Sequence, residues 1–74
     1  MRPKIVYEIC AWVWDKDHKR YDAVILDKID GMGEALAVFN ALQVSEDMPQ
    51  IDLYRNTLNR RGCSVNYTFL DRKD

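Results

Sequence analysis

The alternation of hydrophobic and polar positions along the chain predicts four strands and one helix. Residues 4–14 carry β-branched and aromatic side chains almost throughout, which is typical of a long strand buried on at least one face. Residues 15–20 are polar, and residues 21–27 are again mostly apolar. We therefore expect a hairpin in which two strands are joined by a loop of four to six residues.

A helical pattern follows this hairpin. Asp30 is a residue type that commonly caps a helix N-terminus, and the apolar positions after it recur at the spacing of a helix rather than of a strand. The pattern predicts one amphipathic helix over about residues 31–43. Its apolar face is expected to consist of Met32, Ala35, Leu36, Val38, Phe39 and Leu42.

The remainder of the chain predicts two more strands. Residues 45–49 form a loop that Pro49 keeps from continuing as helix. Residues 50–58 are expected to form the third strand, and the sequence Arg60-Arg61-Gly62 the turn after it. From residue 63 to residue 69 apolar and polar side chains alternate strictly, which predicts a half-buried fourth strand.

These elements predict a single small α+β domain over residues 1–74, with the order ββαββ. A helix of about 13 residues is ~19 Å long and can return the chain across a sheet of similar height. If that crossover skips one strand, the spatial order is 2-1-3-4 and every neighbouring pair is antiparallel. We therefore expect a four-stranded, mainly antiparallel sheet with the helix packed on one face.

One helix covers only one face of four strands, so the other face is left to solvent or to a partner. The side chains expected to face the helix are Ile5, Tyr7, Ile9, Ala11 and Val13, with Tyr21, Ala23, Ile25, Val65, Tyr67 and Phe69. The uncovered face is expected to carry Val6, Glu8, Cys10, Trp12 and Trp14, with Val24, Leu26, Tyr54, Leu58, Ser64, Asn66 and Thr68. Its apolar part is larger than a monomer normally exposes.

Three interpretations of the uncovered face remain open at this point. It could form a homodimer by sheet packing, bind another protein, or stack against nucleic-acid bases. The first two make the chain a non-enzymatic protein-binding module, and the third makes it a small nucleic-acid-binding regulator. The predicted partner-binding residues are Trp12, Trp14, Tyr54, Val6 and Leu58, together with Arg60 and Arg61 in the turn before the fourth strand.

The charge balance favours a protein partner over nucleic acid. Eleven Lys and Arg residues against twelve Asp and Glu residues give a net charge of -1, which provides no general attraction for phosphates. The chain shows neither a signal-peptide pattern nor the ~20 apolar residues of a membrane span. We therefore expect a cytoplasmic protein that does not associate with membranes.

No combination of residues predicts catalysis, a metal site or a cofactor. Gly31 and Gly33 lack the third small residue of a phosphate-binding loop, and His18 has no nucleophile near it in sequence. Cys10 and Cys63 lack metal-ligand spacing, and the strand order separates them by about 9 to 10 Å, so we expect free thiols. An active site assembled between subunits is left open.

Three segments share a pattern with other small proteins: the run Tyr21–Asp27, the alanine-rich helix and the run Met48–Tyr54. Over about residues 4–55 the chain thereby resembles a group of small phage and prophage proteins. It implies a phage-encoded accessory protein that acts in the host cytoplasm as an inhibitor or adaptor on a bacterial protein complex, such as a CRISPR-type defence system. No site residue follows from this resemblance.

Overall fold

The computed structural model describes residues 3–74 and has the order ββαββ. The elements are β1 (Lys4–Asp15), β2 (Arg20–Ile29), α1 (Met32–Ala41), β3 (Gln50–Leu58) and β4 (Ser64–Lys73). The strands form a single sheet in the order β2-β1-β3-β4, and every neighbouring pair is antiparallel. The predicted α+β class, strand order and strand directions are confirmed.

The core lies between α1 and one face of the sheet, which we call the helix face. Ile9 and Ala11 of β1 and Ile51 and Leu53 of β3 are almost completely buried there. They pack against α1 through Ala35 and Phe39, which are also buried. Tyr7, Ile29 and the half-buried Val13, Leu36, Val38, Leu42, Met48 and Leu70 complete this core.

The helix is shorter than predicted, and its N-cap differs. Gly31 is the N-cap residue and accepts a hydrogen bond at its carbonyl from the Ala35 N–H at 2.9 Å, so the predicted N-cap Asp30 is wrong. Asp30 is exposed and pairs with Lys4 at 3.8 Å instead. Of the predicted apolar face, Met32 remains exposed. The helix has 10 residues, and in the described chain no helix is long and apolar enough to cross a membrane.

The hydrogen-bond register shows which side chains share a face. In an antiparallel pair, directly opposite residues point to the same side of the sheet. Trp14 is paired with Tyr21, and Tyr54 is paired with both Glu8 and Phe69. The face opposite to α1, which we call the open face, consists of Lys4, Val6, Glu8, Cys10, Trp12, Trp14, Tyr21, Ala23, Ile25, Lys28, Gln50, Asp52, Tyr54, Asn56, Leu58, Ser64, Tyr67, Phe69 and Arg72.

The faces predicted for β1, for β3 and for Ser64 of β4 are therefore correct, whereas those predicted for β2 and for β4 from Asn66 onward are wrong. Tyr21, Ala23 and Ile25 lie on the open face, whereas Val24 lies on the helix face opposite Ala11. Tyr67 and Phe69 also lie on the open face, opposite Asn56 and Tyr54. Asn66 and Thr68, predicted for the open face, point to the helix side.

The number of residues in the β1–β2 connection and a bulge in β4 explain why these side chains lie on the other face. Four residues, 16–19, join Asp15 to Arg20, and this even number places Tyr21 on the same face as Trp14. In the β3–β4 hairpin the register shifts by one residue at Val65. This bulge reverses the alternation, because one added residue moves the following side chains to the other face.

Lys73, at the end of β4, provides the cation that the end of α1 itself lacks. Its Nζ donates hydrogen bonds to the carbonyls of Asn40 at 3.0 Å and Leu42 at 2.7 Å. The same Nζ lies 5.1 Å from the centre of the Phe39 ring. A cation at this position satisfies carbonyls that have no partner within the helix and opposes the negative end of the helix dipole.

We predict that Lys73→Met lowers the free energy of unfolding by about 1 kcal/mol, since the variant keeps most of the apolar stem and loses the charged hydrogen bonds. Urea unfolding followed by circular dichroism measures the change. Lys16→Met, in the exposed β1–β2 turn, is the matched control and should have little effect. Equal stability of the Lys73 variant and wild type would show that this contact does not hold the helix.

Candidate functional site

Two buried carboxylates occupy the middle of the open face, although no helix covers it. Glu8 on β1 and Asp52 on β3 are each only 5% exposed. Glu8 accepts hydrogen bonds from Asn56 Nδ2 at 2.8 Å and from the Tyr67 hydroxyl at 2.9 Å. The Ser64 hydroxyl donates in turn to Asn56 Oδ1. These bonds join β1, β3 and β4 through side chains as well as through the backbone.

Asp52 is the centre of a second set of hydrogen bonds on the same face. Its carboxylate accepts from Arg72 Nε at 2.8 Å and Nη2 at 3.4 Å, from Gln50 Nε2 at 3.2 Å and from the Tyr54 hydroxyl at 3.4 Å. The Arg72 guanidinium also lies 5.3 Å from the centre of the Phe69 ring. In the described chain, no buried side-chain polar atom lacks a hydrogen-bond partner.

Aromatic side chains cover these carboxylates and form the outer surface of the open face. The rings of Tyr54 and Tyr67 stack with their centres 4.8 Å apart, and Phe69 meets Tyr54 edge-on at 5.8 Å. At the other end, Trp14 and Tyr21 meet edge-on at 5.0 Å. The aromatic rings of the open face therefore form two contacting groups, Tyr54 with Tyr67 and Phe69, and Trp14 with Tyr21.

The buried carboxylates make this face unfavourable for further negative charge. Burial raises the pKa of the Cys10 thiol, and the charges of Glu8 and Asp52 raise it further. Burial and the hydrogen bond to Glu8 raise the pKa of Tyr67 strongly, and burial beside Asp52 raises that of Tyr54. Arg72 is the single cation paired with either carboxylate in the described residues.

A cavity of about 220 Å³ opens at the middle of the open face. Its walls consist mainly of apolar and aromatic side chains, with one carboxylate among them. The lining residues are Cys10, Ala11, Trp12, Ala23, Asp52, Tyr54 and Tyr67. This volume is comparable to that of one large side chain and is below the ~300 to 1,000 Å³ of typical small-molecule sites.

Of the predicted binding residues, five lie on the open face but differ in accessibility. Trp12 is 42% exposed, Trp14, Tyr54 and Leu58 are half-buried, and Val6 is buried and offers little surface. The structure adds four exposed side chains that the sequence prediction had assigned to the core. These are Tyr21, Ile25, Tyr67 and Phe69.

Arg60 and Arg61 lie away from the cavity, in the exposed turn between β3 and β4. Asn59 holds this turn, because its side-chain oxygen accepts from the N–H groups of Arg61 at 2.9 Å and Cys63 at 3.0 Å. Gly62 adopts the left-handed conformation, with φ of 79°, that closes the turn. Neither arginine forms an ion pair within residues 3–74.

The two candidate chemical groups lie in different elements, Cys10 in β1 and His18 in the β1–β2 turn. The Cys10 sulfur lies 3.9 Å from the Tyr67 hydroxyl, and the raised pKa of the thiol disfavours the thiolate that a nucleophile needs. His18 Nδ1 contacts Asp15 at 2.7 Å in an exposed turn, where this hydrogen bond lowers the pKa of Asp15. No group of three or more metal-ligating side chains occurs among residues 3–74.

Comparison with protein-family models, with curated proteins and with solved structures finds no match for this chain. The resemblance to phage proteins therefore stays a prediction. The geometry and chemistry of the open face are the observations that bear on its function.

We predict that Tyr67→Phe lowers the free energy of unfolding by about 1 to 2 kcal/mol, because Glu8 loses one of its two donors while the stacking on Tyr54 remains. Tyr21→Phe is the matched control, since the Tyr21 hydroxyl has no side-chain hydrogen bond within residues 3–74 and the same atom is removed from the same face. Urea unfolding at neutral pH compares the two variants. Equal losses in both would contradict a special role for the Tyr67 hydroxyl.

The raised pKa of Tyr67 adds a pH dependence to this comparison. The unfolded chain releases the phenol proton near pH 10, whereas the folded chain retains it to higher pH. The contribution of Tyr67 to stability is therefore complete below about pH 10 and decreases as the pH rises above it. Wild type should lose more stability than Tyr67→Phe between pH 9 and pH 11, and the same loss in both would contradict this linkage.

Both cysteines are free in the structure, and they differ in accessibility. Cys63 is exposed beside the β3–β4 turn, whereas Cys10 is half-buried with a raised pKa. We predict that iodoacetamide without reductant labels Cys63 first, and that unfolding in urea then gives two labels in total. Mass spectrometry distinguishes these products, and a chain that accepts no label after unfolding would instead contain a disulfide.

Proposed function

We propose that this protein is a non-enzymatic protein-binding module, that the open face is its binding surface, and that a second copy of the chain is its first partner. The observation that carries the proposal is the grouping of exposed apolar side chains on one uncovered face. Trp12, Ile25, Tyr67 and Phe69 are between 42% and 52% exposed, and Trp12 and Tyr67 line the cavity. Large aromatic side chains of this kind dominate the energetics of protein interfaces.

The accessible surface area of the chain supports an interface of standard size. A monomer of 8.7 kDa is expected to expose about 4,700 Å², whereas this chain exposes 5413 Å². The excess of about 700 Å² is close to the ~800 Å² that each partner buries in a standard interface. A homodimer formed through the open face would therefore bring the exposed area to that of an ordinary globular protein.

The edges of the sheet are less suited to binding than its face. Both outer strands contain bulges, at Leu26 in β2 and at Val65 and Leu70 in β4. Bulges and charged side chains disturb the regular row of hydrogen-bonding groups that another strand would need. This supports binding through side chains of the open face rather than by addition of a strand.

The same face is less suited to nucleic acid. Exposed aromatic rings on a sheet could stack with bases, but Glu8 and Asp52 lie beneath them, and among residues 3–74 only Arg72 is paired with either carboxylate. A phosphate backbone would approach a surface on which further negative charge is disfavoured. These contacts favour a protein partner over the alternative of a nucleic-acid-binding regulator.

A dimer built on the open face would leave both copies of α1 accessible to a further protein. The role of a phage-encoded inhibitor or adaptor on a bacterial defence complex would use that outer surface. This part of the proposal has its support in the sequence resemblance alone. Purification of the tagged chain from a bacterial lysate, with Trp12→Glu as the comparison, would test whether capture of a host complex depends on the dimer.

We predict that wild type is dimeric and that Trp12→Glu weakens the dimer by more than about tenfold, because a charge would be buried at the interface. Sedimentation equilibrium measures the dissociation constant, and circular dichroism checks that the variant is folded. Met32→Glu, at an exposed apolar position on α1, is the matched control and should remain dimeric. An unchanged Trp12→Glu dimer would contradict the proposed surface.

A core substitution separates loss of binding from loss of folding. Ile9 is completely buried on the helix face, so Ile9→Ala should lower the free energy of unfolding by about 2 to 5 kcal/mol. Trp12→Glu should not show this loss in its monomeric form. If both variants lose the same free energy of unfolding, the loss of the dimer in Trp12→Glu reflects a role of this residue in the fold rather than in an interface.

A further inference from the structure

We infer that the connection between β2 and α1 is a site of spontaneous covalent modification, at which Asp30 isomerises to isoaspartate. This connection consists of Asp30 and Gly31 alone, because β2 ends at Ile29 and α1 begins at Met32. Neither residue of the connection lines the cavity or belongs to the open face. The site is therefore separate from the proposed binding surface.

The reaction joins the side-chain carboxyl group of Asp30 to the backbone nitrogen of Gly31. A C–N bond forms between this nitrogen and the carboxyl carbon, and the carboxyl hydroxyl leaves with the amide proton as one water molecule. Hydrolysis of the resulting cyclic imide takes up one water molecule again. When the bond between the nitrogen and the original main-chain carbonyl breaks, the main chain continues through the former side chain as isoaspartate. The composition of the protein is unchanged, and no electron is transferred.

Both reacting groups are accessible in the structure. The Asp30 side chain is 79% exposed, and its ion pair with Lys4 is long, at 3.8 Å. Gly31 is exposed, and no atom lies within 4 Å of the position that a Cβ would occupy. Among residues 3–74 the Gly31 N–H donates no hydrogen bond, although the Gly31 carbonyl accepts one from Ala35. The carboxyl carbon can therefore approach the nitrogen without the loss of a hydrogen bond at that N–H.

Glycine after the aspartate also lowers the steric cost of closing the ring. Ring closure rotates the peptide bond between Asp30 and Gly31 toward the Asp30 side chain. A glycine has no Cβ that would collide during this rotation, and its backbone populates more conformations than that of any other residue. Neither residue belongs to a strand or to the helix, so the rotation does not disrupt a ladder of backbone hydrogen bonds.

Other aspartates of the chain lack this combination. Asp27 and Asp71 each accept a hydrogen bond from the N–H of the next residue, at 2.9 Å and 2.7 Å. Both lie in strands, where the sheet fixes the backbone, and the next residues, Lys28 and Arg72, carry long side chains. Asp30 is the one aspartate in the sequence that a glycine follows. The structure therefore predicts modification at this position and protection at Asp27 and Asp71.

Isomerisation lengthens the main chain by one carbon atom within a connection of two residues. Ile29, before the connection, and Ala35, in the first turns of α1, both belong to the core. A connection this short has no further loop residues that could absorb the added atom. The end of β2 or the first turn of α1 must therefore shift, and the isomerised chain should unfold at a lower urea concentration than the parent chain.

The test is incubation of the purified, folded protein for several weeks at neutral pH and physiological temperature, followed by peptide mapping. Chromatography separates the two isomeric peptides of equal mass, and electron-transfer fragmentation locates the added main-chain carbon. Methyl transfer from S-adenosylmethionine by an isoaspartyl methyltransferase counts the modified chains. We expect isoaspartate at residue 30, a minor fraction of chains lighter by one water molecule, and no isoaspartate at Asp27 or Asp71.

Two variants separate the chemistry from the fold. Asp30→Glu keeps the carboxylate but would have to close a larger ring, so methyl incorporation should fall to background. Gly31→Ala keeps Asp30, fits the open space and the extended backbone at this position, and should slow the reaction several-fold. Circular dichroism checks that both variants are folded.

A urea-unfolded sample incubated in parallel shows how fast the same sequence reacts without the fold. The inference is overturned if the unfolded sample accumulates isoaspartate at residue 30 while the folded protein does not. It is also overturned if Asp30→Glu incorporates as much methyl label as wild type, or if Asp27 and Asp71 react as fast as Asp30. An isomerised fraction that unfolds at the same urea concentration as the parent chain would contradict the predicted shift of β2 or α1.

Discussion

The burial of the Glu8 carboxylate on the face without a helix is the constraint on which the arrangement of the open face depends. A buried carboxylate must be hydrogen-bonded, and Glu8 takes its donors from Asn56 on β3 and Tyr67 on β4. Tyr67 can reach it only if it points away from the core. The same orientation stacks Tyr67 on Tyr54 and brings Phe69 to the outer surface. The polar network thus requires aromatic side chains on the side of the sheet where solvent or a partner must cover them.

The two faces of the sheet therefore stabilise the fold through different interactions. The helix face buries aliphatic side chains against Ala35 and Phe39 and accounts for the hydrophobic core. The open face holds β1, β3 and β4 together through Glu8 and Asp52 and leaves aromatic surface accessible. A chain of this length buries only a small hydrophobic core, and an oligomeric partner is one of the usual ways in which small domains gain stability. Folding and the proposed binding are linked because the groups that satisfy the buried carboxylates also form the exposed aromatic surface of the open face.

The sequence predicts the elements and the strand order well, because these depend on periodicity and on the length of the crossover helix. The strand over residues 50–58 and the order 2-1-3-4 agree with the structure. The faces of β2 and β4 do not, because they depend on whether a hairpin connection adds an even or odd number of residues. A loop of four to six residues leaves this parity open, and the bulge at Val65 has no clear sequence signal. The alternation of residues 63–69 predicts Tyr67 on the helix face, although its hydroxyl donates to a carboxylate 59 residues away.

The most direct test of this account is an isotope-filtered nuclear Overhauser experiment on wild type, in which ¹³C-labelled and unlabelled chains are mixed. We expect intermolecular contacts to Trp12, Ile25, Tyr67 and Phe69, and none to Met32 on α1. Intermolecular contacts that involve α1 in place of these open-face residues, or none at concentrations where sedimentation shows a dimer, would contradict the central claim that the open face is the interface.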